Sequence, residues 1–481
     1  MNFARDVVAS APPGELAILE LPRAGGRREW TFGEVTAAAA GMAASLSAAG
    51  VDRGEVVMTL IGNRPEWVLT MVACFHLGAV ALPCNEQLRA GDLRQRLQAA
   101  RPKLIVADER NRTELEAARP DCRVLLVPDP ALFAHPTSTL PYVELEPKDP
   151  CLITFTSGTT GDAKGIVHGQ RYLPGQRVQA GHWLDARPGE LVWCTATSGW
   201  SKSARNVFIA PWLQRAPALL HDARFDPQER VEILEREAVR ILCMAPTEYR
   251  VIAKRAQPPR GAQLRGMVAA GEALNPEVLH VFEAATGLQI RDGYGQTETG
   301  QLTGTPLGEP ARPGSMGRPL PGISLDVVDG ELVLSDPRSD PTFFVGYLDG
   351  MPAPQEEPWH TGDRVRRDED GFLFFEGRTD DVIISAGYRI GPFEVESALV
   401  THPAVAEAAV VAAPDEERGS VVRAVVVLRD GHAPSDGLKA ELQEHARRQT
   451  APYKYPRIVD FAPELPKTTS GKVRRALLRR R

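Results

Sequence analysis

Short apolar runs alternate with longer amphipathic stretches along the N-terminal part of the chain. Residues 54–63, 103–108 and 122–129 are rich in valine, isoleucine and leucine and have the length of strands. Residues 65–80 and 91–100 have the length and periodicity of helices. Strands that alternate with such helices form parallel sheets covered by helices on both faces. The pattern therefore predicts an α/β body.

The same pattern continues through residues 190–197, 240–256 and 265–274 and then changes. Residues 304–322 are rich in glycine and proline, and residues 324–336 alternate like an antiparallel hairpin with an Asp-Gly turn. A third region with shorter α and β signals begins near Asp380. We predict a helix-covered, mainly parallel body with a small β-barrel-like subregion over residues 1–379, and a small α+β domain over residues 380–481.

Charge and composition exclude several classes of partner. The net charge of -6, from 56 basic and 62 acidic residues, provides no field that would attract nucleic acid or an anionic membrane. The six cysteines form no C-x-x-C pair, which indicates reduced thiols in a reducing compartment. Arg5 and Asp6 interrupt the start where a signal peptide needs an apolar segment, and no run reaches transmembrane length. We expect a cytoplasmic protein without integral membrane contact.

The segment "TFTSGTTGDAKGIVHG" at residues 154–169 combines glycines, hydroxyl side chains and one lysine. Glycines allow consecutive backbone N–H groups to point into one concavity, which suits phosphate oxygens. Hydroxyl donors and the Lys164 charge strengthen such a site. The nucleotide P-loop pattern fails, because Ala163 and Gly165 occupy its second glycine and hydroxyl positions. A different phosphate-binding loop is predicted, with an ordinary surface turn as the alternative.

Five segments in order carry a family resemblance. They are "TSGTTGDAKG" (156–165), "DGYGQTETG" (292–300), "WHTGDR" (359–364), "GRTDDVIISAGYRIGPFEVE" (377–396) and "LPKTTSGKVRR" (465–475). Together they resemble the signatures of the adenylate-forming superfamily of acyl-CoA synthetases, peptide adenylation domains and luciferases. Residues 198–214, 387–405 and 453–457 are most similar to medium-chain acyl-CoA synthetases.

This resemblance implies an enzyme that joins a carboxylic acid to the α-phosphate of ATP with Mg²⁺ and then passes the acyl group to coenzyme A. A carboxylate is a poor electrophile, whereas its mixed anhydride with AMP has a good leaving group. The first step gathers negative charge, so cations and donors must surround the triphosphate. The resemblance assigns phosphate binding to Thr156, Ser157, Gly158, Thr159, Thr160, Gly161 and Lys164.

The other nucleotide contacts follow from the same resemblance. Glu298 is expected to hold magnesium and Thr297 to donate to the α-phosphate, and carboxylate oxygens suit this metal. Asp363 is expected to accept from both ribose hydroxyls. On its own, Glu298 is more typical of a helix N-terminus, and a helix cap is the alternative for Asp363. The adenine, ribose and phosphate contacts are assigned to Gly271, Glu272, Ala273, Asp292, Gly293, Tyr294, Asp363, Arg378 and Arg389.

The two steps require different geometries. Lys472 is expected to reach the α-phosphate and the substrate carboxylate during the first step. Family members then rotate the small, mobile C-terminal domain about a hinge that matches Asp380. This rotation brings Ala386, Gly387 and Tyr388 to the site, where Gly387 would line the pantetheine tunnel because it has no Cβ.

The acyl pocket is expected near Gly295, Trp200, Ser201 and Lys202. Short-acid synthetases of this family carry a bulky aromatic residue at the position of Gly295, so a deeper pocket for medium-chain, branched or aryl acids is implied. Core packing is the alternative for Trp200. The family usually has proline where this chain has Ala163, and we expect a looser loop and weaker ATP binding there.

Three functions stay open at this point. The first is the acid:CoA ligase, whose partners are a small carboxylic acid, ATP and CoA, with a homodimer as a possible assembly. The second transfers the acyl group to a carrier-protein thiol or to an amine. The third is a non-catalytic ATP-binding relative.

Overall fold

The computed structural model of the chain describes residues 1–134, 140–156, 164–272, 274, 276–385, 388–467 and 473–479. Its strands, in chain order, are β1 Leu16–Leu21, β2 Arg28–Thr31, β3 Val56–Leu60, β4 Val80–Cys84, β5 Leu104–Asp108, β6 Arg123–Val127, β7 Pro150–Phe155, β8 Gly165–Gly169, β9 Leu191–Cys194, β10 Ala218–His221, β11 Val239–Met244, β12 Gly266–Ala270, β13 Ile290–Gln296, β14 Gly300–Gly304, β15 Arg318–Pro319, β16 Leu325–Val328, β17 Glu331–Leu334, β18 Gly346–Tyr347, β19 Trp359–Arg367, β20 Leu373–Arg378, β21 Ile383–Ser385, β22 Tyr388–Ile390, β23 Val405–Asp415, β24 Gly419–Leu428 and β25 Ile458–Phe461.

The α-helices pack around these strands. They are α1 Phe32–Ala48, α2 Pro65–Leu77, α3 Ala90–Ala100, α4 Arg112–Ala118, α5 Tyr172–Gly175, α6 Arg177–Gln179, α7 Ala210–Trp212, α8 Pro227–Arg236, α9 Pro246–Arg255, α10 Pro276–Thr286, α11 Pro392–Val400, α12 Asp436–Gln449 and α13 Arg475–Arg479. Shorter helical turns of 3₁₀ or π type lie at Ala4–Ala9, Glu109–Asn111, Pro130–Phe133, Ala180–Leu184, Arg205–Ile209 and Pro452–Lys454.

The larger sheet has the strand order β15-β14-β13-β12-β11-β9-β10-β1-β2. Its central strands, from β1 through β10, β9, β11 and β12 to β13, run parallel to their neighbours. Ligands of open α/β sheets bind outside the carboxyl ends of the parallel strands. The segments that follow β9, β12 and β13 at this edge contain Trp200, Gly271 and Glu298.

The second sheet has the order β18-β8-β7-β4-β3-β5-β6 and is also mainly parallel. Its antiparallel hairpin of β7 and β8 carries the glycine-rich segment between the two strands. Helix α2 is buried along its whole length, as expected for a helix covered on all sides. The two sheets and their helices confirm the predicted α/β class.

Helix α2 is shorter than the sequence pattern predicts. The apolar run continues to residue 80, but the helix ends at Leu77, where Gly78 takes a left-handed φ of 69° as the C-cap. Glycine adopts this conformation without a Cβ penalty, so it terminates helices readily. The last apolar residue of the run, Val80, begins strand β4 instead.

The chain after the glycine- and proline-rich region forms an antiparallel sheet of order β16-β17-β19-β20. The predicted hairpin is confirmed: β16 pairs with β17 in antiparallel register, and Asp329 and Gly330 both take positive φ in the turn. The outer strands β16 and β20 do not pair with each other within the described residues, so this subregion is an open sheet and not a closed barrel.

The C-terminal part has its own small core. Strands β23, β24 and β25 form one sheet, and β21 pairs with β22. Apolar side chains of these strands pack with α11 and α12 in a separate cluster. The predicted smaller α+β unit is present. No helix among the described residues is long and apolar enough to cross a membrane.

Candidate active site

The hairpin of β7 and β8 closes the base of the glycine-rich loop. Thr156 donates its backbone N–H to the Lys164 carbonyl at 2.9 Å, and the Lys164 N–H donates to the Thr156 hydroxyl oxygen at 3.2 Å. The exposed Lys164 ammonium lies 5.5 Å from the ring centroid of Tyr347. Several predicted phosphate contacts between Thr156 and Lys164 lie outside the described residues. They are Ser157, Gly158, Thr159, Thr160 and Gly161, and Ala163 also lies outside.

The turn from β13 to β14 positions Thr297 and Glu298. The Gln296 N–H donates to the Thr299 hydroxyl at 3.0 Å, and the Phe344 N–H donates to the Glu298 carbonyl at 2.8 Å. Burial raises the pKa of the Glu298 carboxyl, while the positive charges of Arg378 and Lys164 lower it. The structure thus brings Glu298, Lys164 and Arg378 into electrostatic contact.

The Asp363 carboxylate lies at the centre of a hydrogen-bond cluster. Its Oδ2 atom accepts from the Tyr294 hydroxyl and, at 3.0 Å, from Gln296 Nε2. Its Oδ1 atom lies 3.3 Å from Nη1 of Arg378. Burial and the neighbouring Asp363 raise the pKa of the Tyr294 hydroxyl well above its usual range. The side chain expected to stack on adenine is therefore also a partner of the carboxylate expected to bind ribose.

Gln296 is a residue of this cluster that the sequence analysis did not single out. Its amide nitrogen also donates to the Thr361 carbonyl at 2.7 Å, and its amide oxygen accepts from Trp359 Nε1 at 3.0 Å. Gln296 and Trp359 both lie within the motifs that carry the resemblance. Their position in those motifs was the available signal, but their mutual contact is not readable from the sequence.

The predicted adenine segment follows β12. Gly271 has a φ of 101°, which favours glycine, and the Glu272 carboxylate accepts from Thr247 and Arg250, each at 2.8 Å. Burial raises the pKa of Asp292 to about 8, opposed by N–H donors from Gly293 and Leu274. Asp292 is therefore bonded to the backbone around the adenine segment. Ala273 lies outside the described residues.

Trp200 and Lys202 lie next to this segment. The Lys202 ammonium donates to the Ala270 carbonyl at 3.1 Å and lies 5.7 Å from the Trp200 ring centroid. Trp200 is partly buried and packs on the largest core cluster, and Ser201 is half-buried beside it. The contact with Ala270 brings the predicted acyl-pocket wall to the end of β12.

Gly295 has a local structural role. A Cβ at this position would lie 1.8 Å from the Gly300 carbonyl oxygen, far inside any permitted contact. The close approach of β13 and β14 therefore requires glycine here in the present backbone. The presence of glycine at position 295 is therefore explained by backbone packing, independently of the length of the acyl chain.

The predicted hinge lies between β20 and β21. Asp380 Oδ1 is 3.5 Å from Nε of Arg378, and the Asp380 carbonyl accepts from Arg479 at 3.2 Å. Tyr388, from the predicted CoA segment, is exposed and stacks on Tyr453 with 4.3 Å between ring centroids. Ala386, Gly387, Lys472 and the Arg389 side chain lie outside the described residues.

Comparison with known proteins agrees with this arrangement. Residues 6–338 match the family model of the AMP-binding enzymes, and residues 394–472 match that of their C-terminal domain. An uncharacterized acyl-CoA ligase of Bacillus subtilis, YtcI, is 37% identical over 98% of this chain and 94% of its own length. The mitochondrial acyl-coenzyme A synthetase ACSM4 of Rattus norvegicus is 37% identical over 99% of this chain and 90% of its own.

A solved structure extends the comparison to the fold. The anthranilate CoA ligase AuaEII in complex with anthranoyl-AMP is 28% identical, with a TM-score of 0.90 over 99% of this chain and 96% of its own. Two family models, relatives aligned over nearly the whole chain and a matching fold lead to one assignment. The chain belongs to the AMP-binding enzyme family.

Proposed function

We propose that this enzyme is an ATP-dependent acid:CoA ligase of the AMP-forming type. It would convert a carboxylic acid and ATP into acyl-AMP and pyrophosphate, and then acyl-AMP and CoA into acyl-CoA and AMP. The observation that carries the proposal is that Lys164, Glu298 and the paired residues Asp363 and Arg378 converge on one region from three separate parts of the chain. The acyl-CoA synthetases and the CoA ligase to which the chain is similar support this reaction.

In the first step, these residues would bind and orient the triphosphate. Lys164 and Arg378 supply positive charge where negative charge accumulates, which lowers the free energy of the transition state. The prepositioned Asp363 carboxylate accepts from the ribose hydroxyls, and Thr297 donates to the α-phosphate. The aromatic ring of Tyr294 offers a face to adenine, and Gly271, Glu272, Asp292 and Gly293 shape the surrounding backbone.

The residues present fit a magnesium ion. No other described side chain donates a hydrogen bond to the Glu298 carboxylate, and burial raises the pKa of this group, so a nearby cation would stabilise its ionised form. No cluster of three or more potential metal ligands occurs among the described residues. Magnesium commonly uses one or two carboxylates together with phosphate and water. Glu298 would hold the ion, whose charge would offset the negative charge of the phosphates.

The second step needs access for a thiol. We propose that residues 1–379 form the adenylating body and that residues 380–481 rotate about Asp380 between the steps. Lys472 would serve the first arrangement, while Ala386, Gly387 and Tyr388 would serve the second, with Arg389 near the nucleotide. A free thiol of CoA is the proposed acceptor, and a carrier-protein thiol or an amine is the alternative.

The acid is proposed to be medium-chain, branched or aryl, in line with the resemblance. The close approach of β13 and β14 already requires glycine at position 295, so this residue does not indicate the size of the acid. The pocket near Trp200, Ser201 and Lys202 is the better guide to acid size. All six cysteines are unpaired, which supports a reducing compartment such as the cytoplasm. A homodimer is part of the proposal and is tested by light scattering.

A screen for acid-dependent ATP–pyrophosphate exchange tests the proposal. Straight, branched and aromatic acids are supplied to the full chain with Mg²⁺, and thioester formation is then followed with CoA or with a carrier protein. We expect exchange with a subset of acids and thioester with CoA. Exchange without thioester on CoA would favour the carrier-protein or amine alternative, and no exchange with any acid would favour a non-catalytic relative.

A further inference from the structure

Arg205 is a buried cation without a carboxylate partner. Its exposed fraction is 4 %, and it opens a helical turn, Arg205–Ile209, in which every residue is buried. Its Nε and Nη1 atoms have no hydrogen-bond partner among the described atoms, and its recorded hydrogen bond is with the Tyr172 hydroxyl. A guanidinium that is removed from water with unfilled donors is costly. This position therefore needs an acceptor that the described residues do not provide.

The guanidinium lies directly behind the turn that carries the proposed catalytic residues. Nη1 of Arg205 is 3.6 Å from the place where a Cβ of Gly300 would stand. The imidazole of His168 faces the carbonyls of Thr297 and Thr342, and its pKa falls to about 3 because of burial and the Arg205 charge. Arg205 thus lies close to Gly300, which follows Glu298 by two residues in the chain.

Arg205 also belongs to the segment proposed for the acyl pocket. It follows Trp200 and Lys202 in the sequence, and the Lys202 ammonium already contacts the end of β12. An acid whose carboxylate reacts beside Thr297 and Lys202 would extend from the turn into the protein interior. The guanidinium is placed to meet the remote end of such an acid.

The surrounding interior is polar but does not neutralise Arg205. Oε1 of Gln179 and Oε1 of Gln301 have no partner, and both residues line a cavity of about 10 Å³. Asp340, the carboxylate of this cavity, accepts from Thr342 at 2.7 Å, and no ion pair joins it to Arg205 in the described chain. A cavity of this size holds about one water. A water would satisfy the amide oxygens but would leave the charge unpaired.

We propose that Arg205 forms an anion-binding end of the acyl pocket, and that the acid substrate carries a second carboxylate at the end remote from the reacting one. Arginine is the usual side chain for buried carboxylate recognition, and each of the unpartnered Nε and Nη1 atoms can donate to a carboxylate oxygen. An acid with a plain alkyl chain in the same place would leave these donors unpaired. A site with buried donors discriminates strongly against such a substrate. This inference rests on the ligase function proposed above and specifies its substrate class.

The test begins with the wild-type enzyme, so that it does not depend on the folding of a variant. Acid-dependent ATP–pyrophosphate exchange is measured with C4 to C8 monocarboxylic acids and with the dicarboxylic acids of the same carbon number. We expect kcat/KM to favour a diacid by at least about 100-fold, which corresponds to about 2.8 kcal/mol at 1.4 kcal/mol per tenfold. Equal use of both classes would overturn the assignment and leave a buried water as the partner of Arg205.

Two substitutions sharpen the result. In Arg205→Met, kcat/KM for the diacids should fall by about the same factor, and kcat/KM for monocarboxylic acids should rise. Arg205→Lys should retain part of the diacid preference. The matched control is Arg230→Met, because Arg230 is also 4 % exposed but bonds to His221 at 3.0 Å and lies over Trp193. The Arg230→Met variant should change the stability of the protein without changing the order in which acids rank by kcat/KM.

The outcomes separate this inference from the ligase function. If Arg205→Met slows exchange equally with every acid, Arg205 acts on the reacting carboxylate or on phosphate, and the anion-binding end is wrong. If wild-type exchange runs only with monocarboxylic acids, the ligase function stands and the substrate class is wrong. If no acid of any class supports exchange, the ligase function itself fails, and this inference fails with it.

Discussion

The Tyr294 hydroxyl donates a hydrogen bond to Oδ2 of Asp363, although the two residues are 69 positions apart in the sequence. Gln296 donates to the same oxygen, and Arg378 lies beside the other. We propose that the ribose hydroxyls of the nucleotide donate to this oriented carboxylate. The cluster holds Asp363 in one orientation before the nucleotide arrives, which reduces the entropy lost on binding.

Tyr294→Phe should weaken ATP binding while keeping the aromatic face. Removal of one hydrogen bond of this kind costs about 1 kcal/mol, so we expect the KM for ATP to rise about fivefold with a small change in kcat. Steady-state exchange kinetics measure both. The control is Tyr249→Phe, whose hydroxyl donates to the Val268 carbonyl at 3.2 Å. An equal rise in KM in that control would mean that general destabilisation, not the orientation of Asp363, is responsible.

Glu298→Gln should raise the magnesium requirement. The amide keeps the size of the side chain but loses the charge that would hold the cation. Loss of a group that orients a bound metal costs about tenfold or more in affinity, so the Mg²⁺ concentration for half-maximal exchange should rise at least about tenfold. The control is Glu309→Gln, since Glu309 pairs with Arg318 at 2.9 Å on the surface. An unchanged magnesium curve in Glu298→Gln would remove Glu298 from the metal site.

Asp292→Asn should gain stability relative to the wild type as pH rises. Burial raises the pKa of Asp292 from its ordinary value of 3.8 to about 8, so the folded state binds a proton that the unfolded state has released. The contribution of this group to stability is therefore full below about pH 4 and falls as pH rises toward 8. Asparagine does not titrate, so the difference in melting temperature, mutant minus wild type, should increase between pH 5 and pH 8.

Thermal melts without ATP at both pH values measure this difference. The exposed Asp326 provides the control, and Asp326→Asn should show a difference that does not change with pH. If the Asp292→Asn difference were equally flat, the proton on Asp292 would not be linked to folding.

Lys472→Ala and Gly387→Leu should separate the two half-reactions. Lys472 is proposed to neutralise charge in the first step, and loss of such a group costs about 3 kcal/mol, or two to three powers of ten in rate. Gly387→Leu should spare pyrophosphate release but block thioester formation, because the new side chain would fill the pantetheine tunnel. Rapid-quench assays of each half-reaction measure both effects. Equal loss of both steps in Gly387→Leu would show that this segment has another role.

Local patterns in the sequence predicted much of the fold. The strand at residues 103–108 and the hairpin at 324–336 were predictable because alternation and an Asp-Gly turn are local signals. The end of α2 at Leu77 was missed because the apolar run continued, and only the left-handed conformation of Gly78 separates helix from strand.

The site was predictable as a set of motifs but not as a set of contacts. The resemblance pointed to Tyr294 and Asp363 separately, yet their hydrogen bond depends on the pairing of sheets far apart in the sequence. Arg205 gave no signal, because its unpaired guanidinium is a property of what surrounds it in three dimensions. Such non-local relations are set by packing, and a single sequence does not record them.

Asp380→Pro should uncouple adenylation from thioester formation. On one side of this residue, Thr379 donates its N–H to the Gly362 carbonyl at 2.8 Å and so belongs to the antiparallel sheet. On the other side, Asp381 pairs with Arg475 at 3.6 Å and with Arg479, both in helix α13. The backbone of Asp380 is therefore the joint between two anchored segments. We therefore expect the proposed rotation of the C-terminal part to change the dihedral angles of Asp380.

Proline fixes φ near −65°, so one of the two arrangements should become inaccessible. We expect the ratio of thioester formation to ATP–pyrophosphate exchange to change strongly in Asp380→Pro. In Asp380→Ala, which removes the Arg378 contact but leaves φ free, this ratio should stay close to that of the wild type. Single-turnover measurements with purified acyl-AMP isolate the second step. If the proline variant keeps both half-reactions at wild-type rates, the rotation uses a different joint.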